Sequence, residues 1–279
     1  INLEIFPNRV IGLLGPNGSG KSTLMRHMIG LYLPTQGSCL TFGSPAAKLG
    51  PAEFSRIGYV HQETKLIDWM TVKQHITFVA AHHPTWNPSV KARYLHDFEI
   101  PRNNRVRNLS TGQRQRLAIL LAIGHEPDLL ILDEPATALD PLARSQFLDL
   151  LLKIIQQEGK TILISSHILS DVEKVIDHVI ILNQGRIALD CRFDDLQEQF
   201  LRLHLTTLGA PLPESLPFDN ILSCTKNNGH AILTLKTPDL ERIKFQSEKL
   251  NCRWEVQPIP LEDIYKIIMG QQAQGGIFQ

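Results

Sequence analysis

The chain has 279 residues, 28 Lys+Arg balanced by 28 Asp+Glu, 43% hydrophobic and 6% aromatic content. That is long enough for a large core and a little beyond one average domain, and the balanced charge gives no electrostatic case for a nucleic-acid or anionic-membrane partner. Cys39, Cys191, Cys224 and Cys252 are scattered without a CxxC pair, as expected of reduced cytosolic thiols; no uncharged apolar run nears the roughly 18 residues of a membrane span, and no charged-then-apolar leader opens the chain.

The first element is a strand, Val10-Ile11-Gly12-Leu13-Leu14, followed at once by Gly15-Pro16-Asn17-Gly18-Ser19-Gly20-Lys21-Ser22-Thr23 and a helix-like segment. The spacing G-x-x-x-x-G-K-S puts glycines where backbone N–H groups must turn inward and approach phosphate oxygens, and the next helix adds its positive N-terminal end. Lys21 is expected to reach the β- and γ-phosphates. Ser22 offers a hydroxyl to Mg²⁺, an ion that prefers oxygen ligands. A second strand, Ile57-Gly58-Tyr59-Val60, ends just before Gln62. Beyond it, Val72, Ile76, Val79 and Ala80 share one helical face, between Trp69-Met70 and the run His82-His83-Pro84-Thr85-Trp86-Asn87-Pro88. The histidine pair has no further ligands at helical spacing and is not read as a metal site.

Ser110, in Leu109-Ser110-Thr111-Gly112-Gln113-Arg114-Gln115-Arg116, suits the N-cap of a helix whose apolar face is Leu117, Leu120, Leu121 and Gly124. Leu129-Leu130-Ile131-Leu132 then reads as a buried parallel strand ending in Asp133-Glu134-Pro135, with its C-terminal end opening on the nucleotide site. Asp133 is expected to hold the metal through its water shell, and Glu134 to orient or deprotonate the attacking water. Asp140-Pro141 suits an N-cap with proline in the first turn, opening a helix with Leu148, Leu151, Leu152 and Ile155 on one face. The strand Thr161-Ile162-Leu163-Ile164-Ser165 leads to His167, and a hairpin turns at Asn183-Gln184-Gly185. After about residue 195, Pro211, Pro213 and Pro217 mark a linker-like stretch. A small second domain follows, with strands Ala231–Leu235 and Arg253–Val256, a helix through Leu240, Ile243, Ser247 and Leu250, and a last helix from Leu261 to Met269.

Over roughly residues 2 to 190 the chain resembles the ABC-type ATPases, in five motifs that fall in one order: the phosphate loop, Gln62, the signature-like run from Leu109, the acidic pair with Ala138-Leu139-Asp140, and His167. The resemblance implies an α/β fold of the P-loop NTPase type with a mixed, largely parallel sheet, a small antiparallel β part and a helical subdomain at about 66–125. These would lie within residues 1–195, with a small α+β accessory domain over 196–279. It implies that Ser110, Gly112 and Gln113 close over the γ-phosphate of ATP held by a second ATPase subunit, so that a homodimer sandwiches two ATP. His167 would contact the γ-phosphate and position the attacking water. Gln62 would bind Mg²⁺ or that water and move with the transport partner, and Asp140 would join the nucleotide site. Thr111 stands where the family more usually has glycine, which helical φ tolerates and positive φ does not.

The family usually carries an adenine-stacking aromatic residue in a strand upstream of Asn2-Leu3-Glu4-Ile5. That strand is absent here: either the sequence is truncated or the base is held otherwise, and weak selectivity for ATP over GTP is expected. The C-terminal part, with its Leu261-Glu262-Asp263-Ile264-Tyr265 ending, is similar to the short last domain of ATPases serving drug, antibiotic or polysaccharide exporters. The expectation is an ATP- and Mg²⁺-dependent peripheral subunit on the cytoplasmic face of the membrane, coupled to export through a separate integral membrane subunit, with no nucleic acid bound. A soluble ABC ATPase acting on ribosomes or nucleic acid is the alternative. Those relatives carry tandem ATPase domains or long coiled coils, whereas this chain has one phosphate loop and a short span from Lys21 to Ser110. Glu134 and His167 argue against a non-hydrolysing regulator.

Overall fold

Runs such as Val10-Ile11-Gly12-Leu13-Leu14 and Leu129-Leu130-Ile131-Leu132 are apolar at every position, a pattern that suits a strand covered on both faces. The computed structural model, which describes residues 1–63, 65–83, 86–137, 139–155, 159–209 and 211–273, forms these runs into the centre of a six-stranded sheet. The elements of the first part are β1 (Val10–Leu14), α1 (Lys21–Met28), the short hairpin β2 (Leu40–Thr41) and β3 (Ser44–Pro45), α2 (Pro51–Phe54) and β4 (Ile57–Val60). Three helices follow, α3 (Val72–Ala80), α4 (Pro88–Asp97) and α5 (Thr111–Ile123), then β5 (Leu129–Asp133), α6 (Pro141–Ile155), β6 (Thr161–Ser165), α7 (Leu169–Val172), β7 (His178–Asn183) and β8 (Arg186–Arg192). The second part comprises α8 (Phe193–Glu198), β9 (Phe200–Thr207), β10 (Ile221–Asn227), β11 (His230–Lys236), α9 (Leu240–Lys249), β12 (Cys252–Pro258) and α10 (Leu261–Ala273). The chain divides into two units, Ile1–Asp190 and Cys191–Gln279.

The large sheet has the order β4-β5-β6-β1-β7-β8. Parallel register sets Ile11 opposite Leu163 of β6, Gly12 opposite Val179 of β7, and Leu132 opposite Ile164. Gln184 and Gly185, at φ +47° and +73°, make the tight turn that brings β8 back alongside β7, a two-residue geometry matched to the strand twist. Ile11, Leu13, Met25, Ile131, Leu163 and Leu182 form the core here, and full burial of each aliphatic side chain is worth about 1.5–3 kcal/mol.

Helix α6 departs from expectation at Leu152, and the side chain of Ile155 lies outside the described residues. The buried stripe of the helix is centred on Phe147, with Ala143, Leu150 and Leu151, so Leu152 turns to the solvent side and is 40% exposed. In the second unit the order is β10-β11-β9-β12, all antiparallel, over a core of Leu203, Leu205, Leu233, Leu235 and Ile243. Pro211, Pro213 and Pro217, expected to mark a linker-like stretch, fall between β9 and β10, and β9, where no strand was expected, is an inner strand of this sheet. Leu240, expected on the apolar face of α9, is exposed, while Ile243 and Ser247 are buried.

Candidate nucleotide-binding and catalytic site

Because β1, β4, β5 and β6 run parallel, their C-terminal ends share one edge of the sheet, and the motif residues emerge there. The loop after β1 packs so closely on β7 that a Cβ on Gly15 would lie 2.1 Å from the Leu182 carbonyl oxygen, and its φ of +151° also calls for glycine. Gly20 caps α1 at φ +108°, and the first turn of α1 presents the unpaired N–H groups that every helix start leaves free. Lys21 is 7% exposed and curls back over the loop, its Nζ donating to the carbonyl oxygens of Gly15 at 2.8 Å and Pro16 at 3.2 Å. Burial lowers its pKa from the usual lysine value, and the charges of Glu134 and Asp133 oppose that shift.

The acidic pair forms one hydrogen-bonded group with its surroundings. Ser22 Oγ donates to Asp133 Oδ1 at 3.0 Å, and Ser165 Oγ donates to the same oxygen at 2.9 Å. Asp133 is fully buried, and its Oδ2 has no hydrogen-bond partner. A buried carboxylate oxygen without a donor, beside a serine hydroxyl, is an oxygen-only set of the kind Mg²⁺ accepts, so the residues present fit that ion. Glu134 follows with φ +51°, a left-handed conformation for a non-glycine residue, and its side chain is almost buried. Its Oε2 accepts from His167 Nδ1 at 2.6 Å, from the His167 backbone N–H at 3.3 Å and from the Thr137 hydroxyl at 3.3 Å. The Nδ1 bond leaves Nε2 facing away from the carboxylate, and the ring is half exposed.

The other predicted residues stand apart from this group. Gln62 is exposed two residues beyond β4, and among the described residues no hydrogen bond joins it to Ser22, Asp133 or Glu134. Ser110 caps α5: its hydroxyl accepts the Gln113 N–H at 3.2 Å, and Gln113 Oε1 accepts the Ser110 N–H at 3.1 Å. Thr111 is the first residue of that helix and has no positive φ, so its side chain is accommodated. Asp140 caps α6 through the Ala143 N–H at 2.9 Å, which holds its carboxyl below the usual range; Ala138 lies outside the described residues. Two arginines tie α5 to its neighbours. Arg114 donates to Asp68 at 2.6 Å, and Arg116 donates to the Phe98 carbonyl at 3.1 Å and reaches Asp140 at 3.5 Å.

Trp69 is 67% exposed, whereas Trp86 packs against Gly124. His83 stacks on buried His125 at 4.0 Å between ring centroids, and no cluster of three or more metal-ligating side chains occurs among the described residues. Pro84 and Thr85 lie outside the described residues. Among the described residues no helix is long and apolar enough to cross a membrane. Sequence reasoning missed Ser165 and Thr137 as contacts of the two acids. The visible signal for Ser165 was a polar residue closing an otherwise apolar strand.

An anion-binding loop facing two carboxylates, one of them buried with an oxygen left free, on the edge of a largely parallel sheet, belongs to the phosphate-loop ATPases. Comparison with known proteins narrows the class. The family model described as ABC transporter matches residues 1–137. The chain is 34% identical over 98% of its length to the Nod factor export ATP-binding protein I of Cupriavidus metallidurans, covering 92% of that protein. It is 32% identical over 71% of its length to the bacitracin transport ATP-binding protein BcrA of Enterococcus faecalis, covering 65% of it. A dimeric ATP-binding cassette in a post-hydrolysis state bound to ADP and Pi superposes with a TM-score of 0.61 at 25% identity, covering 69% of this chain and 88% of that one. The chain belongs to the ABC transporter ATP-binding family, and it is an ATPase of that type.

Proposed function

We propose that this protein is the ATP-hydrolysing subunit of an exporter, in which two copies close on two ATP molecules and drive a separate integral membrane subunit from its cytoplasmic side. The observation that carries the reading is a division within the chain. The phosphate loop, Asp133, Glu134 and His167 gather at one sheet edge, while the capped start of α5 with Ser110, Gly112 and Gln113 makes its hydrogen bonds elsewhere. A helix start is an anion site, and in a second copy it would supply what the first copy lacks. The export direction rests on the likeness to the Nod factor export ATP-binding protein. Helices α3 to α5, with exposed Trp69 and Phe78, would form the subdomain that receives the membrane subunit. Residues 1–195 would constitute the ATPase domain, and 196–279 an accessory domain for dimerisation or regulation.

In each site Lys21 would exchange the Gly15 and Pro16 carbonyls for phosphate oxygens, joined by the N–H groups of the loop from Gly15 to Thr23. Ser22, Asp133 and Gln62 would hold Mg²⁺, which supplies charge neutralisation at the phosphate oxygens. Glu134 takes the proton of the attacking water, and His167, oriented by its bond to Glu134, would present Nε2 as an N–H donor to a γ-phosphate oxygen. Glu134→Gln is expected to lower turnover about 10²–10⁴-fold while ATP binding persists; unchanged turnover would remove the base assignment. Pull-down of this variant from membranes with ATP should recover a polytopic membrane protein. Recovery of ribosomes or nucleic acid instead would contradict the transporter reading.

A further inference from the structure

Ser165 closes strand β6, is fully buried, and stands opposite Asp133 in the parallel register. A hydroxyl has one proton to give and lone pairs to accept with, and Ser165 spends both capacities on the acidic pair. Its O–H donates to Asp133 Oδ1 at 2.9 Å, and its Oγ accepts the Glu134 backbone N–H at 2.9 Å.

The first bond selects one face of the carboxylate. Together with the Ser22 hydroxyl it places two donors on Oδ1 and leaves the buried Oδ2 as the oxygen without a partner. The second bond acts on the backbone. Glu134 has φ +51°, and a non-glycine residue keeps such a conformation only where its surroundings over-determine it. The Glu134 carboxylate is tethered separately, to His167 and Thr137.

We infer that Ser165 is a positioning residue that joins the two acids into one unit, turning Asp133 toward the metal site and fixing the backbone that aims Glu134. This deepens the reading of Asp133 and Glu134 given above and rests on it. The hydroxyl does not touch substrate, so its removal should disturb metal use and turnover and leave the phosphate loop's own hold on nucleotide intact.

The test compares Ser165→Ala and Ser165→Cys with wild type and Glu134→Gln. Cysteine nearly matches serine in shape and keeps a weak donor and acceptor. Binding of a fluorescent, non-hydrolysable ATP analogue is measured first in EDTA and then against Mg²⁺, followed by turnover and Tm. For Ser165→Ala we expect unchanged binding in EDTA, a Mg²⁺ half-saturation raised about 10-fold or more and turnover lowered about 10- to 100-fold, the usual loss when a metal ligand's supporting hydrogen bond is removed. Ser165→Cys should fall between alanine and wild type. Wild-type Mg²⁺ dependence and turnover in Ser165→Ala overturn the inference, as does a joint fall of metal-free binding, Mg²⁺ dependence and Tm, which marks a purely structural serine. The controls separate two failures: a Glu134→Gln variant with full turnover sinks the reading of the acids, whereas a silent Ser165→Ala beside an inactive Glu134→Gln sinks this inference alone.

Discussion

Two histidines, His125 and His167, meet opposite surroundings. His167 is half exposed with Nδ1 on a carboxylate, whereas His125 is 3% exposed, with Nε2 at 3.1 Å from the Ile57 carbonyl oxygen and His83 stacked on its ring. Burial first, then the neighbouring His83, and in smaller part Lys160, lower the His125 pKa from 6.5 to about 4. The folded state therefore binds fewer protons than the unfolded one between those values, so this contribution is fully present above pH 6.5 and drains away as pH falls toward about 4. Each unit crossed is worth about 1.4 kcal/mol. A Tm profile should fall through this window, and His125→Gln should flatten the fall; an unchanged slope would contradict the assignment. The sequence shows the acidic pair Asp133-Glu134 plainly, because a run of apolar residues ending in two carboxylates is local. It does not show Ser165 or Thr137 beside them, because those contacts depend on strand register and on the turn that follows Glu134.

At the level of elements, the start of α5 caps its helix and is proposed to bind phosphate as well, and one substitution can separate the two. Replacing an N-cap serine by alanine costs about 1 kcal/mol of helix stability, but replacing it by glycine costs only a few tenths. Ser110→Gly should therefore keep Tm near wild type. If its hydroxyl also binds phosphate across the dimer, turnover should drop about 10-fold or more, the loss expected for a hydrogen bond to a charged group. Turnover equal to wild type would reduce Ser110 to a cap. The strands of the first unit were legible because their apolar runs are continuous and flanked by motif residues. Strand β9 was not, although Leu201, Leu203 and Leu205 alternate inward with Arg202, His204 and Thr206, because the nearby prolines read as linker. Leu152 was misplaced because the helical face was centred on Leu148 rather than Phe147.

Across the whole molecule, equal numbers of acidic and basic residues fit a protein that recognises its partners through particular surfaces rather than through a net field. The ATPase unit carries the loop and acids at one sheet edge and an arginine-tied, capped helix start that is hydrogen-bonded to neither. Self-association on ATP is the simplest way for both to act on one γ-phosphate. The most direct measurement is the solution mass of Glu134→Gln by light scattering, without nucleotide and with ATP and Mg²⁺. The account predicts a 31.4 kDa monomer that doubles in mass when ATP is added and returns to monomer when Ser110→Gly is combined with it. A variant that binds ATP and remains monomeric, or that is dimeric whether or not nucleotide is present, would contradict it.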